Sequence, residues 1–482
     1  MEIKTREFKK GSRRAIRNVR VQEAAQRATG NLLRERNNAA AELPEWEELR
    51  TRAREIKHHT LERLDDYLAL FADSVEKAGG KVIWASTAQE ASDYVVSLAR
   101  ARGVRTVVKG KSMATEEIDL NHRFEDAGVE AIETDLGEYM IQLAGETPFH
   151  IIAPAIHKTR QDFGQLFSEH LSIPYEEDPQ RLTQIARHTL REKFTQADMG
   201  VTGANFGIAE TGTIVLVENE GNQRLSTALP PIHVSVMGME KVIPTLHDLS
   251  VFLALLPRSA TGQKASSYVS LITGPRTPGE VDGPEEFHLV ILDNGRSRIL
   301  ADPTIRESLY CLRCAACLNI CPVYNSVGGH AYGWVYSGPI GSIITPELVG
   351  IGEAKDLPAA STLCGACRDV CPIKINIPHM LLNLRQKATE PPTETPASSS
   401  IRYPFMEKWA MRAWAASMRS HRVYSFASRV ARLAQKPMAR NGQIRWLPPI
   451  LRGWAEHREF PALAPRTFRQ IWDERLSKHV AD

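Results

Sequence analysis

All seven cysteines of this 482-residue chain fall in two short motifs that each end in Cys-Pro. The first reads Cys311-Leu-Arg-Cys314-Ala-Ala-Cys317-Leu-Asn-Ile-Cys321-Pro322. Its C-x2-C-x2-C-x3-C-P spacing is that of a run holding a [4Fe–4S] cluster. A compact loop must aim three thiolates at three corners of one cube, and the short gaps let the backbone wrap closely. Cys321 follows a partial helical turn and points away, which assigns it to a second centre. Proline then ends the turn without an N–H of its own.

The second motif reads Ser361-Thr-Leu-Cys364-Gly-Ala-Cys367-Arg-Asp-Val-Cys371-Pro372, with a serine in the first ligand position. Crossed ligation predicts two [4Fe–4S] clusters. The first takes Cys311, Cys314, Cys317 and Cys371; the second takes Cys321, Cys364 and Cys367. The fourth ligand of the second stays open. Ser361 either supplies an oxygen or is a turn or cap residue beside an open iron or a [3Fe–4S] cluster. Zinc ribbons use separated C-x2-C pairs, not a four-cysteine run closed by proline. The odd count and the crowding disfavour disulfides.

Charge is uneven. Residues 1–40 carry eleven Lys/Arg against four Asp/Glu, and residues 401–482 carry sixteen against six, while the whole chain is only +3. Basic ends on an acidic body suit docking to an acidic partner or peripheral contact with an anionic membrane surface; solvated faces of terminal helices are the plainer explanation. Nothing favours nucleic acid. No stretch reaches the roughly 18 apolar residues of a membrane-spanning helix, so no transmembrane segment is expected. Ser12-Arg13-Arg14 lacks the apolar core of a twin-arginine signal. The expectation is a cytoplasmic protein.

Residues 1–75 read as helical. Between 76 and 300, short apolar runs at 81–85, 105–108, 150–153, 213–217, 233–236 and 288–292 alternate with amphipathic segments such as 90–102 and 116–127. That pattern predicts an α/β domain with a largely parallel sheet. Glycine-rich turns at 109–112, 203–207, 210–212 and 274–279 fall at strand ends, where ligands of such sheets bind. Gly110-Lys111-Ser112 is not a phosphate loop, because Arg105 stands where that motif needs glycine. The cysteine module spans 301–388, a polar Pro-rich linker 389–400, and a helical basic region 401–482 carries Trp409, Trp414, Trp446, Trp454 and Trp472, read as core or docking residues.

Several stretches together resemble the lactate utilization protein B family, the iron–sulfur subunit of a bacterial three-protein system. They are Lys109-Gly-Lys-Ser-Met-Ala-Thr-Glu-Glu117, Glu133-Thr-Asp-Leu-Gly-Glu-Tyr139, Pro154-Ala-Ile-His-Lys158, Ala209-Glu-Thr-Gly-Thr213, Asn219-Glu-Gly-Asn222, the run 274–288 and the cysteine block. The resemblance implies a CoA-transferase-like α/β domain followed by an α-helical ferredoxin-like two-cluster module. It also implies electron transport in the oxidation of L-lactate to pyruvate, beside two other subunits and a redox partner or quinone-linked acceptor. Serine at position 361 is a feature of that family.

Two functions follow. In the first, the chain is a non-catalytic electron-transfer subunit whose protein part sets the potential and spacing of its clusters. In the second, the α/β domain itself binds and acts on lactate or another small carboxylate, using Lys109, Lys111, Glu133, Asp135, His150, His157 and Glu210. Taken singly, these residues have plainer explanations: His150 as a hydrogen-bonded structural histidine, Lys109 and Lys111 as solvated loop lysines, Glu133 and Asp135 as turn or cap residues.

Overall fold

Ten strands run through the first 300 residues: β1 (Lys81–Ala85), β2 (Thr106–Lys109), β3 (Glu130–Glu133), β4 (Met199–Thr202), β5 (Phe206–Ile208), β6 (Thr213–Glu218), β7 (Ile232–Gly238), β8 (Val242–Ile243), β9 (Tyr268–Ile272) and β10 (Glu286–Leu292). The computed structural model describes residues 2–389, 405–444 and 460–476. Met1–Ser400 forms one compact unit and Ile401–Asp482 a second.

Six strands build a wholly parallel sheet in the order β1-β10-β7-β4-β2-β3. The central strands are buried along their length, β7 at every residue, as a sheet covered on both faces requires. After β2 the chain steps outward to β3 and then returns to β4 on the other side. The strand order therefore reverses between β2 and β4, and a crevice opens there beyond the carboxyl ends of the strands. The remaining four strands form a second sheet, β8-β5-β6-β9, antiparallel except for the β5–β8 pair.

Five of the six expected strands are present. The exception is 150–153, which forms bends. Its backbone groups are taken by side chains: the N–H groups of Ile152 and Ala153 donate to His150 Nδ1 (3.3 Å each), and Lys111 Nζ donates to the Ile152 carbonyl. With those groups committed, no sheet ladder can form. The helix expected over 116–127 is two, Met113–Glu117 and Leu120–Asp126, divided at Asp119, whose φ of 55° no helix accommodates.

The N-terminal residues are helical as expected: Phe8–Ala15, Val19–Ala41, Trp46–Glu62 and Leu64–Lys77. They do not stand apart from the cysteine loops. One apolar core runs from Phe8, Trp46 and Phe71 through Phe206 and Val215 to Leu318, Tyr324 and Ile343. Three of the eleven basic residues of the N-terminus pair with acids of the chain's own body. Arg6 pairs with Glu353, Lys9 with Asp356 (2.9 Å) and Arg20 with Asp162 (2.9 Å), so this end docks onto the chain's own acidic body.

The second unit contains helices Phe405–Arg419 and His421–Ala434 and a small antiparallel sheet, Ala439–Arg440, Gln443–Ile444 and Phe460–Pro461. Trp409, Trp414 and Trp472 are 54%, 58% and 38% exposed, which rules out the core role for these three. Trp446, Trp454 and the expected linker beyond Thr389 lie outside the described residues. Among the described residues, no helix is long and apolar enough to cross a membrane.

Candidate iron–sulfur centres and the cavity beside them

The two cysteine motifs fold as copies of one turn. In the first, Arg313 and Ala315 both have a φ of 62°, and the short helix Ala316–Asn319 follows. In the second, the matching residues Leu363 and Gly365 have φ of 55° and 88°, and Ala366–Asp369 follows. Left-handed residues on both sides of Cys314 and of Cys364 curl the backbone around a common centre. Only Gly365 adopts that conformation without steric cost.

This curl brings residues from both motifs together. Cys311, Cys314, Cys317 and Cys371 line one small apolar cavity with Ile340, Ile373 and Ile377. Burial pushes the Cys314 thiol up to about 12, with the neighbouring Cys371 the next cause, and pushes Cys371 up to about 11. Cys317 is raised by burial and then by Cys311 and Cys314. Several buried thiols crowded at one point cannot ionise together without a cation among them. That donor set fits an iron–sulfur cluster and suits no apolar packing role.

The remaining cysteines, Cys321, Cys364 and Cys367, neighbour one another, and Cys367 also lies within electrostatic reach of Cys317. Burial raises Cys321, and Cys364 adds to it; burial pushes Cys367 up to about 12, followed by Cys321 and Cys364. Cys364 is exposed, and a hydrogen bond from Thr362 holds its thiol below the ordinary value. Backbone N–H groups already point at sulfur: Arg313 N–H donates to Cys311 Sγ (3.4 Å) and Tyr324 N–H to Cys321 Sγ (3.5 Å). Ser361 is half-buried, and its Oγ accepts from Leu363 N–H at 3.1 Å.

Sequence reasoning missed the arginines that clamp the second motif. Arg50, buried on helix Trp46–Glu62, donates to the Cys371 carbonyl from Nε (3.0 Å) and Nη2 (2.7 Å), and from Nη2 to the Asp369 carbonyl (2.8 Å). Arg36 donates to the Val370 carbonyl (3.0 Å) and lies over the Trp46 ring. These residues lie more than 300 positions from the cysteines, so no local pattern announces them.

A larger cavity, of about 260 Å³, opens at the crevice between β2 and β4. Lys111 and Ser112 after β2, Gly203 to Asn205 after β4, and Glu240 and Lys241 after β7 face Leu312, Arg313 and Tyr336 of the cysteine region. A buried charge chain joins the two sides. Arg296 pairs with Glu117 (2.7 Å) and Glu240 (2.8 Å), Tyr336 donates to Glu117 (2.6 Å), and Arg313 lies 3.7 Å from Glu240 and 4.7 Å over the Tyr336 ring. Burial works against the Glu240 charge, but Arg296, Lys241 and Arg313 prevail and hold its carboxyl at about 2.

The seven candidate catalytic residues scatter. Lys109 is no solvated lysine: it is fully buried between Glu116 and Glu133, 2.7 Å from each. Glu133 is that lysine's counter-ion and not a cap, whereas Asp135 caps helix Leu136–Leu143 by accepting from Gly137 and Glu138. Lys111 is half-buried, 3.8 Å from Asp135 at the cavity edge. His150 is structural, bonded to Asn319 (3.0 Å) and held by burial at about 4. His157 pairs with Glu146 (2.8 Å), and burial keeps it at about 4. Glu210 is exposed and accepts from Leu246 N–H at the start of helix Leu246–Thr261. Of the seven, only Lys111 and Asp135 line the cavity.

Residues 68–292 match the LUD domain, residues 307–375 a 4Fe-4S dicluster domain, and residues 383–477 the domain described as lactate utilisation protein B, C-terminal. The chain thus carries an iron–sulfur domain over residues 307–375. It is 45% identical over 476 residues to lactate utilization protein B of Anoxybacillus flavithermus, covering 98% of this chain and 99% of that one. It is 44% identical over 483 residues to the protein of the same name from Bacillus licheniformis, covering 100% and 99%. A solved DUF162 family protein from Deinococcus radiodurans is 14% identical, covering 48% of this chain and 98% of that one, with a TM-score of 0.26. With its whole length matched at this identity, the chain belongs to the lactate utilization protein B family.

Proposed function

We propose that the chain is an iron–sulfur electron-transfer protein of lactate utilization, acting in the oxidation of L-lactate to pyruvate. Cys311, Cys314, Cys317 and Cys371 hold one [4Fe–4S] cluster. Cys321, Cys364 and Cys367 hold a second, with Ser361 Oγ in the fourth position. When bound, such clusters take up and release single electrons at potentials set by hydrogen bonds, charge and burial. The observation that carries the reading is the convergence of Cys371 with the three cysteines of the first motif around one cavity.

The chain's own residues supply the rest. Arg313 N–H and Tyr324 N–H donate to sulfur, and Arg50 anchors the carbonyls of the loop ending in Cys371. Exposed Cys364 brings the second centre nearest to solvent, where a redox partner or quinone-linked acceptor docks, while the first centre is more deeply buried. Two further subunits of the system complete the pathway in the cytoplasm.

The test uses anaerobically reconstituted protein given L-lactate and an artificial electron acceptor. No turnover alone, with turnover restored by the partner subunits, is the expected result. Turnover by this chain alone would overthrow the carrier reading. In cells, Cys314→Ser and Cys364→Ser are each expected to abolish growth on lactate, and unimpaired growth with either centre lost would count equally against it.

A further inference from the structure

The 260 Å³ cavity has one wall in the α/β domain and the other in the loop carrying Cys311 and Cys314. Three of its four acids are committed. Glu240 accepts from Arg296, Asp135 caps a helix, and Glu218 accepts the N–H groups of Gln223 (2.8 Å) and Arg224 (2.9 Å), while Glu220, among the described residues, accepts only the Asn219 N–H at 3.3 Å. Two cations are only partly committed. Arg313 Nη2 lies 3.7 Å from Glu240, but its Nη1 is buried with no hydrogen-bond partner, and the only hydrogen bond of Lys241 Nζ among the described residues is a long one to the Cys311 carbonyl (3.4 Å). A buried donor without an acceptor is costly, and a guanidinium fork suits a carboxylate. The rest of the lining mixes apolar Met113, Ile151, Val236, Leu256 and Leu312 with polar Asn205, Asn222 and Gln223. Cations with adjoining apolar surface select an anion that carries carbon over an inorganic one.

We propose that this cavity binds a short-chain carboxylate, its carboxyl group held by Arg313 and Lys241, and that its occupancy is coupled to the redox state of the adjacent iron–sulfur centre. The coupling half rests on the assignment of a cluster to Cys311, Cys314, Cys317 and Cys371; the binding half does not. The physical link is the sharing of cations. Arg313 lines both this cavity and the small one enclosed by the four cysteines, and Lys241 lines this cavity and touches the Cys311 carbonyl. Reduction adds negative charge beside a bound anion, so the anion prefers the oxidised centre. Linkage then requires that the anion lower the centre's midpoint potential. Each tenfold preference for the oxidised form corresponds to a fall of about 59 mV for one electron.

The experiment uses the full-length, anaerobically reconstituted protein. Calorimetric titration with sodium pyruvate, and separately with sodium phosphate, measures binding. An EPR-monitored redox titration with and without saturating pyruvate measures the midpoint. The expected result is saturable one-to-one binding of pyruvate but not phosphate, and a midpoint that falls when pyruvate is bound. Arg313→Gln weakens binding about tenfold or more. Because Arg313 lies in the cysteine loop, that variant counts only with wild-type iron content. Ala260→Phe fills the cavity from helix Leu246–Thr261, away from the loop, and abolishes both binding and shift. No saturable pyruvate binding, equal binding of phosphate, or binding indifferent to Ala260→Phe each overturns the site. Binding with an unchanged midpoint overturns the coupling. A protein that binds pyruvate but carries no iron would instead defeat the electron-transfer reading, so the two failures are distinguishable.

Discussion

Ser361 and Cys311 occupy the same place in two copies of one turn: Ser361 Oγ accepts the N–H of Leu363 at 3.1 Å, as Cys311 Sγ accepts that of Arg313 at 3.4 Å. The serine therefore carries its oxygen where the first motif carries a thiol. That equivalence bears on the one ligand the cysteines leave unfilled.

Ser361→Cys is expected to complete an eight-thiolate set and to hold the second cluster more firmly against chelators. Ser361→Ala is expected to lose about one iron per chain and to show an oxidised three-iron signal. Iron analysis and EPR after reconstitution decide. A wild-type protein that shows the same three-iron signal after iron and sulfide treatment would remove Ser361 from the ligand set.

Arg50→Ala strips the Cys371 and Asp369 carbonyls of a charged donor inside the core. A loss of about 1–3 kcal/mol is expected, with faster release of iron from the centre that includes Cys371. Denaturant midpoints under anaerobic conditions, read beside iron content, measure both. An unchanged midpoint would mean that water replaces the guanidinium at no cost.

Lys109→Met leaves Glu116 and Glu133 facing each other in the α/β core. The expected cost is about 3–5 kcal/mol, because a buried charge loses its partner. Adding Glu133→Gln should recover part of it. A double variant no more stable than the single one would show that Glu133 is not the group Lys109 neutralises.

His233 gives a pH signature. Burial holds it neutral down to about 3, whereas the unfolded chain protonates it near its ordinary value of 6.5. Between those values the unfolded state binds the extra proton, so this contribution is complete above pH 6.5 and is lost as pH falls toward 3. Its slope is about 1.4 kcal/mol per pH unit. The stability gap between wild type and His233→Asn, read from urea midpoints, should narrow from pH 7.5 to 5.5. A constant gap would mean that His233 takes up its proton over the same pH range folded as unfolded.

The parallel α/β sheet was legible where a strand is a run of apolar residues, as in β1, β7 and β10. It was not legible in β4, a short Met-Gly-Val-Thr, nor in β3, which reads Glu-Ala-Ile-Glu and buries Glu133 against Lys109 on the neighbouring strand. The reverse error arose at 150–153, whose apolar composition suggests a strand. Its backbone groups are instead taken by His150 and Lys111, and His150 in turn is held by Asn319.

By itself, the sequence determined the chemistry of the cysteine region. Ligand spacing in a cysteine loop is a local property, written in a few consecutive residues, and so is the serine at 361. Only the tertiary structure decided what surrounds those loops. Arg36 and Arg50 reach the second motif from the N-terminal helices, and the crevice between β2 and β4 meets Arg313. Such contacts join residues far apart in the chain, and burial, which decides whether a lysine is a solvated loop residue or a core counter-ion, belongs to the fold and not to any segment of it.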